Sequence, residues 1–343
     1  MHILIIKTSS LGDIIHMLPA ITDAARAIPA LRIDWLVEES FAAIPAWHPA
    51  VGRIVPIAMR RWKKQPLSSQ TWKEIANARQ ALRAQRYDLI LDSQGLLKSA
   101  LWCKMGLGPS VGYDHHSARE PLAARFYDRP LPVARQQHAI ARNRQLLAAA
   151  LGYSLDQPEP DYGLSNLAKR LPVLDLQLPP GSVVGLHGTS RADKLWPVEH
   201  WKALALHLQQ QGTHLVLPWG NAPEQARAQA LAQNMSHVIV LPKLGLDALA
   251  SLIAQAAVVV GVDTGLLHLA AGLGKPGVAL YTATPPALTG AVSDRSAPTT
   301  LRNLCTTQEL QASTVIAAVD ALLHNQRRAD ADKRQSSAPA HSH

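Results

Sequence analysis

The sequence predicts an α/β protein made of two successive open parallel sheets with helices on both faces, and three observations predict it. Short apolar runs alternate with helical patterns through the first half, the same alternation restarts in the second half, and a proline-rich polar stretch separates the two. The chain has 343 residues, more than the roughly 250–300 at which single hydrophobic cores stop growing. Two domains are therefore expected.

The opening HILII (2–6) is apolar on both sides of the chain, as in a strand buried on both faces. DIIHMLPAITDAARAI then follows helical spacing and RIDWLV (32–37) forms a second strand, which makes a βαβ start. RIVPI (53–57), a helix from about Thr71 to Gln85, the strand YDLILD (87–92), a helical LLKSALWCKM and a helix from about Gln136 to Leu151 complete the first domain, taken as 1–155. Between Gly152 and Gly181 the residues Pro158, Pro160, Pro172, Pro179 and Pro180 break the pattern, so 156–180 is expected to be a linker. SVVGLH, WKALALHLQQ, THLVLP, PEQARAQALAQ, HVIVLP, DALASLIAQA, VVVGVD, LLHLAAG and PGVALY alternate strand and helix in the second domain, 181–325. Residues 326–343 are polar and aperiodic, and a disordered tail is expected there. Two such domains imply a cleft between them, with ligand residues placed just after the strands.

Composition narrows the function classes. Hydrophobic residues make up 47% and charged residues 17%, the balance of a folded protein, and no apolar run reaches the ~18 residues of a membrane span. The start MHILIIKTSSLGD has no basic region before its apolar run, reads as a strand, and points to a cytoplasmic protein. Cys103 and Cys305 lie far apart without CxxC spacing and read as ordinary buried or half-buried thiols, and there is no HExxH, so no metal site is expected. A formal charge of +9 calls for an anionic partner: nucleic acid, an acidic membrane surface or a phosphorylated substrate.

The residues that can carry chemistry cluster after strands. In KTSSLGD (7–13) a glycine, hydroxyls including Ser10, and Asp13 open a helix, so Asp13 is either a helix cap or a ligand-facing carboxylate. A carboxylate at a helix start is stabilised in its charged form and is a weak base, able to accept a proton only as a new bond forms. In GVDTGLLHLAAG, Asp263, Thr264 and Gly265 begin a helix whose free amides suit a diphosphate, with His268 about one turn on; a plain capped turn fits equally. GTSRADKLWP offers Thr189, Ser190 and Lys194, a cation suited to a departing diphosphate or merely a surface lysine. Glu224 at a helix start can take ribose hydroxyls or complement the helix dipole. Arg60, Arg61, Lys63 and Lys64 surround Trp62, with Arg119 further on; these cations match phosphate or carboxylate, or form a solvated loop, and no nucleic-acid module accompanies them. Lys275 is followed by Pro276, so GLGKPG is not a P-loop, and KTSSLGD lacks the spaced glycines of a dinucleotide fingerprint.

Taken in order, KTSSLGDIIHMLPA, VEESFAAIPAWHP, RRWKK, DSQGLLKSA, SAREPLA, HGTSRADKLWP, LPWG and GVDTGLLHLAAG resemble the bacterial lipopolysaccharide heptosyltransferases of glycosyltransferase family 9, over about residues 1–325. The resemblance implies a GT-B architecture, two facing Rossmann-like domains with the acceptor in the first and the nucleotide-sugar donor in the second. It implies inverting transfer of L-glycero-D-manno-heptose from ADP-heptose to the first Kdo of Kdo2-lipid A, without cofactor or metal ion, at the cytoplasmic face of the inner membrane. It places Asp13 as the base with Ser10 beside the acceptor, and Lys194 facing the diphosphate. Thr189, Ser190, Glu224, Asp263, Thr264, Gly265 and His268 fall on the donor side, and Arg60, Arg61, Lys63, Lys64 and Arg119 on the acceptor side. The chain departs from the family at YTATPPALTG, where Thr284 and Pro285 stand in place of Thr and Asp. Two other readings remain open from the residues: a sugar-nucleotide epimerase of similar shape, which needs no lipid acceptor, and a non-catalytic protein binding anionic glycolipid or nucleic acid.

Overall fold

The computed structural model of the chain describes residues 1–174, 178–297 and 301–336. It divides into two compact units, Met1–Arg170 with Ala287–Thr289, and the remaining chain from Leu171 onward. Residues 156–170, expected to be linker, group with the first unit.

The first unit holds a parallel sheet of β1 (His2–Ile6), β2 (Arg32–Glu38), β3 (Val51–Ile57), β4 (Leu89–Asp92), β5 (Ser110–Tyr113) and β6 (Arg129–Leu131), in the order β3-β2-β1-β4-β5-β6. The second holds β7 (Val183–Leu186), β8 (Leu215–Leu217), β9 (Val238–Val240), β10 (Val258–Val262), β11 (Gly277–Leu280) and β12 (Leu301–Leu304), in the order β12-β11-β10-β7-β8-β9. Each sheet winds outward from its first strand and then restarts on that strand's other side. The switch points, β1/β4 and β7/β10, are where loops at the carboxyl ends diverge and leave a crevice for ligands.

The central strands are apolar except at their ends, as at Asp92 of β4, because helices cover both faces of each sheet. Ile3 to Ile6 and Val258 to Val260 are fully buried. In the second unit Trp196 and Trp201 pack edge to face at 5.1 Å and anchor a core that includes Val258, Val260 and Val319.

Four further features differ from expectation. The stretch after β1 forms two helices, Leu11–Ile15 and Leu18–Ala27, instead of one, because Pro19 has no N–H to continue the first and sits where a helix tolerates it, in the first turn of the second. Strands β5, β6 and β12 were not expected: they are three or four residues long, and β6 and β12 are edge strands with exposed positions, so they lack the continuous apolar run that marks a buried strand. The tail expected to be disordered from 326 is helical as far as Ser336, within the helix Ala312–Ser336. Val315, Val319, Leu322 and Leu323 fix that helix to the core, and its polar end is rich in the helix formers Gln, Arg and Ala, with a Gln326–Asp330 hydrogen bond one turn apart; residues 337–343 lie outside those described. Cys103 is buried as expected, but Cys305 is exposed, because it follows the half-exposed edge strand β12.

Candidate functional site

In the first unit the β1/β4 switch point carries a polar pocket of about 540 Å³ whose lining includes Lys7, Asp13, Gln94, Arg119, Arg135 and Arg142. Its frame begins at buried Asp92, the last residue of β4. This carboxylate accepts hydrogen bonds from the Gln94 and Gly95 amides, the Ser99 hydroxyl and the Tyr127 hydroxyl. The turn so fixed presents Gln94 Oε1 to the Thr8 and Ser9 amides at 3.1 and 3.3 Å, and the Ser93 carbonyl to Lys7 Nζ at 2.7 Å. The loop after β1 is thereby tied to the loop after β4.

Asp13 lies in the first turn of the helix Leu11–Ile15, where its Oδ2 accepts the Ser10 amide and the Ser10 hydroxyl, each at 2.9 Å. It completes the capping box of which Ser10 is the N-cap and also lines the pocket, so the two readings of this residue are compatible. Burial pushes the Asp13 carboxyl up, but the Lys7 ammonium, the Ser10 donors and Arg119 outweigh it and hold the group below its ordinary value. The direction is the one expected of a helix-start carboxylate, and a buried lysine supplies much of it. Burial in turn lowers the Lys7 ammonium, which Asp13 and Asp92 partly restore.

Lys7, Gln94 and Arg142 were not singled out from the sequence. Lys7 ends the first apolar run, and a cation at the end of a buried strand is the signal that was available. Arg142 stacks over Tyr113 at 4.6 Å and donates to the Ser117 carbonyl at 2.6 Å. Asn143 and Arg144 interrupt the otherwise apolar buried face of the helix Ala139–Leu151, beside the half-buried Arg142.

Of the expected acceptor-side cations, Arg119 lines this pocket, while Arg60, Arg61, Lys63 and Lys64 are not among its lining residues. Arg60 sits over Phe41 at 4.8 Å. Arg61 is committed to Glu39 and Glu74, and Glu74 also takes the Trp62 indole N–H at 2.6 Å. Lys63 and Lys64 are exposed.

The residues expected on the donor side come together at the β7/β10 switch point of the second unit. Asp263 follows β10 and is buried; Lys194 Nζ donates to its Oδ2 at 2.6 Å, His268 Nε2 lies 4.0 Å from its Oδ1, and the Thr189 hydroxyl donates to its carbonyl at 3.3 Å. Thr264 is the N-cap of the helix Gly265–Gly272, with Gly265 as its first residue. Lys194 is therefore not a loose surface lysine. Ser190 is exposed at the same strand end.

Glu224 stands in the first turn of the helix Ala222–Ala232, where Asn221 Oδ1 caps its amide at 3.0 Å. Its carboxylate accepts the Gly220 amide at 2.7 Å and the Asn221 side-chain amide at 2.8 Å. A Cβ at Gly188 would lie 2.7 Å from the Glu224 carboxyl carbon, so this acid lies against the backbone beside Thr189 and Ser190. The unmatched loop after β11 is held at its start by the Thr282 hydroxyl, which donates to the Asp193 carbonyl at 2.8 Å.

Comparisons with known proteins point to one family. The profile of Glycosyltransferase family 9 (heptosyltransferase) matches residues 75–317. The chain is 49% identical over 297 residues to lipopolysaccharide heptosyltransferase 1 of Pseudomonas aeruginosa, covering 85% of this chain and 81% of that protein. It is 46% identical over 292 residues to lipopolysaccharide heptosyltransferase 1 of Escherichia coli K12, covering 84% and 90%. Among solved structures, E. coli heptosyltransferase WaaC with ADP superposes with a TM-score of 0.85 at 42% identity, covering 95% of this chain and all of that one, 100%.

Proposed function

Since the chain belongs to glycosyltransferase family 9, the heptosyltransferases, and has the GT-B fold, we propose that it transfers L-glycero-D-manno-heptose from ADP-heptose to the first Kdo of Kdo2-lipid A with inversion at the anomeric carbon. The donor assignment draws on the likeness to heptosyltransferase structures carrying ADP and ADP-2-deoxy-2-fluoro heptose. The acceptor assignment draws on the relatives' lipopolysaccharide names. One observation carries the chemistry: a single carboxylate, Asp13, lines a pocket whose other charged lining residues are the cations Lys7, Arg119, Arg135 and Arg142, an environment suited to an anionic sugar whose hydroxyl must lose a proton.

The reaction is a single displacement. The acceptor oxygen attacks one face of the anomeric carbon, its proton passes to Asp13 as the new bond forms, and ADP leaves from the other face. A carboxylate held below its ordinary pKa cannot ionise an alcohol in advance, so proton transfer is coupled to bond formation. Lys194, presented by Asp263, and the amides at the start of the helix Gly265–Gly272 stabilise the departing diphosphate, a task that a divalent ion performs in other transferases. Glu224 accepts the ribose hydroxyls, with Thr189, Ser190, Thr264 and His268 completing the donor site, while Ser10 and the cations Arg60, Arg61, Lys63, Lys64 and Arg119 serve the acceptor. This reading needs no cofactor or metal ion, so chelation of divalent ions should leave turnover unchanged. The protein works in the cytoplasm, peripherally at the inner membrane where a lipid-linked acceptor resides; no helix among the described residues is long and apolar enough to cross a membrane.

Mass spectrometry of the purified protein with ADP-heptose and Kdo2-lipid A tests this reading. One added heptose with release of ADP is expected. An unchanged acceptor, or conversion of ADP-heptose to another nucleotide sugar without acceptor, contradicts it.

A further inference from the structure

The positive charge of this chain is concentrated in one segment. Residues 60–86 contain eight Lys or Arg and a single acid, Glu74, and so account for most of the formal +9. Glu74 and Arg61 neutralise each other. Lys63, Lys64, Lys73, Arg79 and Arg83 are exposed and have no carboxylate partner among the described residues.

The same segment exposes large apolar side chains. Leu67, in the connection before the helix Ser69–Arg83, is 93% exposed, and Trp72 in that helix's first turn is 61% exposed. The helix buries Thr71, Ala78 and Leu82. Trp72, Ala76, Arg79 and Arg83 recur at the spacing of a single helical face, and all four are exposed. An exposed tryptophan and leucine flanked by unpaired cations has the composition of a surface that rests in a bilayer interface, where the ring and the leucine enter the headgroup boundary and the cations meet acidic lipid.

We propose that residues 67–83 of the first unit form a docking surface for an anionic phospholipid bilayer, with Leu67 and Trp72 as the inserted side chains and Lys73, Arg79 and Arg83 on the headgroups. The proposal deepens the functional reading above and rests on it in one respect: an acyl-anchored acceptor has to be met at a bilayer. None of Leu67, Trp72, Arg79 and Arg83 lines the Asp13 pocket.

Co-sedimentation of the full chain with vesicles tests it, comparing mixed phosphatidylglycerol–phosphatidylcholine with phosphatidylcholine alone. The wild type should bind the mixed vesicles, bind the neutral ones weakly, and lose binding as salt rises. The double variants L67S/W72S and R79E/R83E should each weaken binding by about tenfold or more, as expected when apolar anchors or paired charges are removed. Both should retain the wild-type thermal shift with ADP, which shows that they are folded, and wild-type turnover on a deacylated, water-soluble acceptor. Equal vesicle binding by variants and wild type, no binding to acidic vesicles, or binding to single-stranded nucleic acid in their place overturns the docking surface. Vesicle binding that depends on these residues, together with no heptose transfer to either form of acceptor, upholds the surface and overturns the acceptor reading instead.

Discussion

Asp13 does two jobs with one carboxylate: it closes the first turn of its helix through Ser10, and it faces the first unit's polar pocket. Sequence alone left those roles as alternatives, since capping and catalysis both favour an acid at a strand-to-helix turn. The feature that sequence did not disclose is Lys7, whose buried ammonium bonds the Ser93 carbonyl and acts electrostatically on Asp13. Asp13 has a lowered folded pKa, so it stays ionised at neutral pH, and its contribution to stability is present above the unfolded pKa and lost as pH falls through the folded one. Lys7→Met removes the opposing cation and leaves burial to act, which raises the Asp13 pKa. The acid limb of kcat/KM should therefore move to higher pH in Lys7→Met and return toward its original position in Lys7→Arg. An unmoved limb in Lys7→Met would show that Lys7 does not set the state of Asp13.

At the level of elements, buried strands and amphipathic helices were legible because burial writes an apolar pattern, whereas the short strands β5, β6 and β12 left none. The candidate site was legible where it follows strong strands, at Asp13 after β1, Thr189 after β7 and Asp263 after β10. It was not legible where its parts are joined by contacts distant in sequence, as Gln94 is to the Thr8 and Ser9 amides. That junction depends on Asp92, which collects four donors. Asp92→Asn turns one acceptor into a donor facing donors, and the buried mismatch should cost about 1–3 kcal/mol or more in urea unfolding. A loss within error would mean that the turn does not depend on this carboxylate. In the second unit, Gly188→Ala should displace the Glu224 carboxyl and weaken ADP binding by about tenfold, the scale of one lost charge-assisted hydrogen bond, with little change in thermal stability without ADP. Unchanged ADP affinity would remove Glu224 from nucleotide recognition.

For the molecule as a whole, two sheets of the same strand order carry different chemistry at the same topological place. The first unit offers a carboxylate among cations and the second a lysine–aspartate pair at a helix start. Each unit also buries a histidine in neutral form: burial pushes His48 and His187 down from 6.5 to about 4. Between those values the unfolded chain binds protons that the folded protein does not, so stability should fall as pH drops from about 6.5 toward 4, by up to about 1.4 kcal/mol per pH unit for each histidine. A flat melting profile over that range would show that both rings accept protons in place.

The division of labour between the units is the central claim, and Asp13→Asn tests it most directly when turnover and ADP affinity are measured on the same preparation. ADP affinity should stay within about twofold of wild type while turnover with ADP-heptose and Kdo2-lipid A falls about 10²-fold or more, the range for loss of a general base. Near-normal turnover, or loss of ADP binding in parallel with activity, would contradict it.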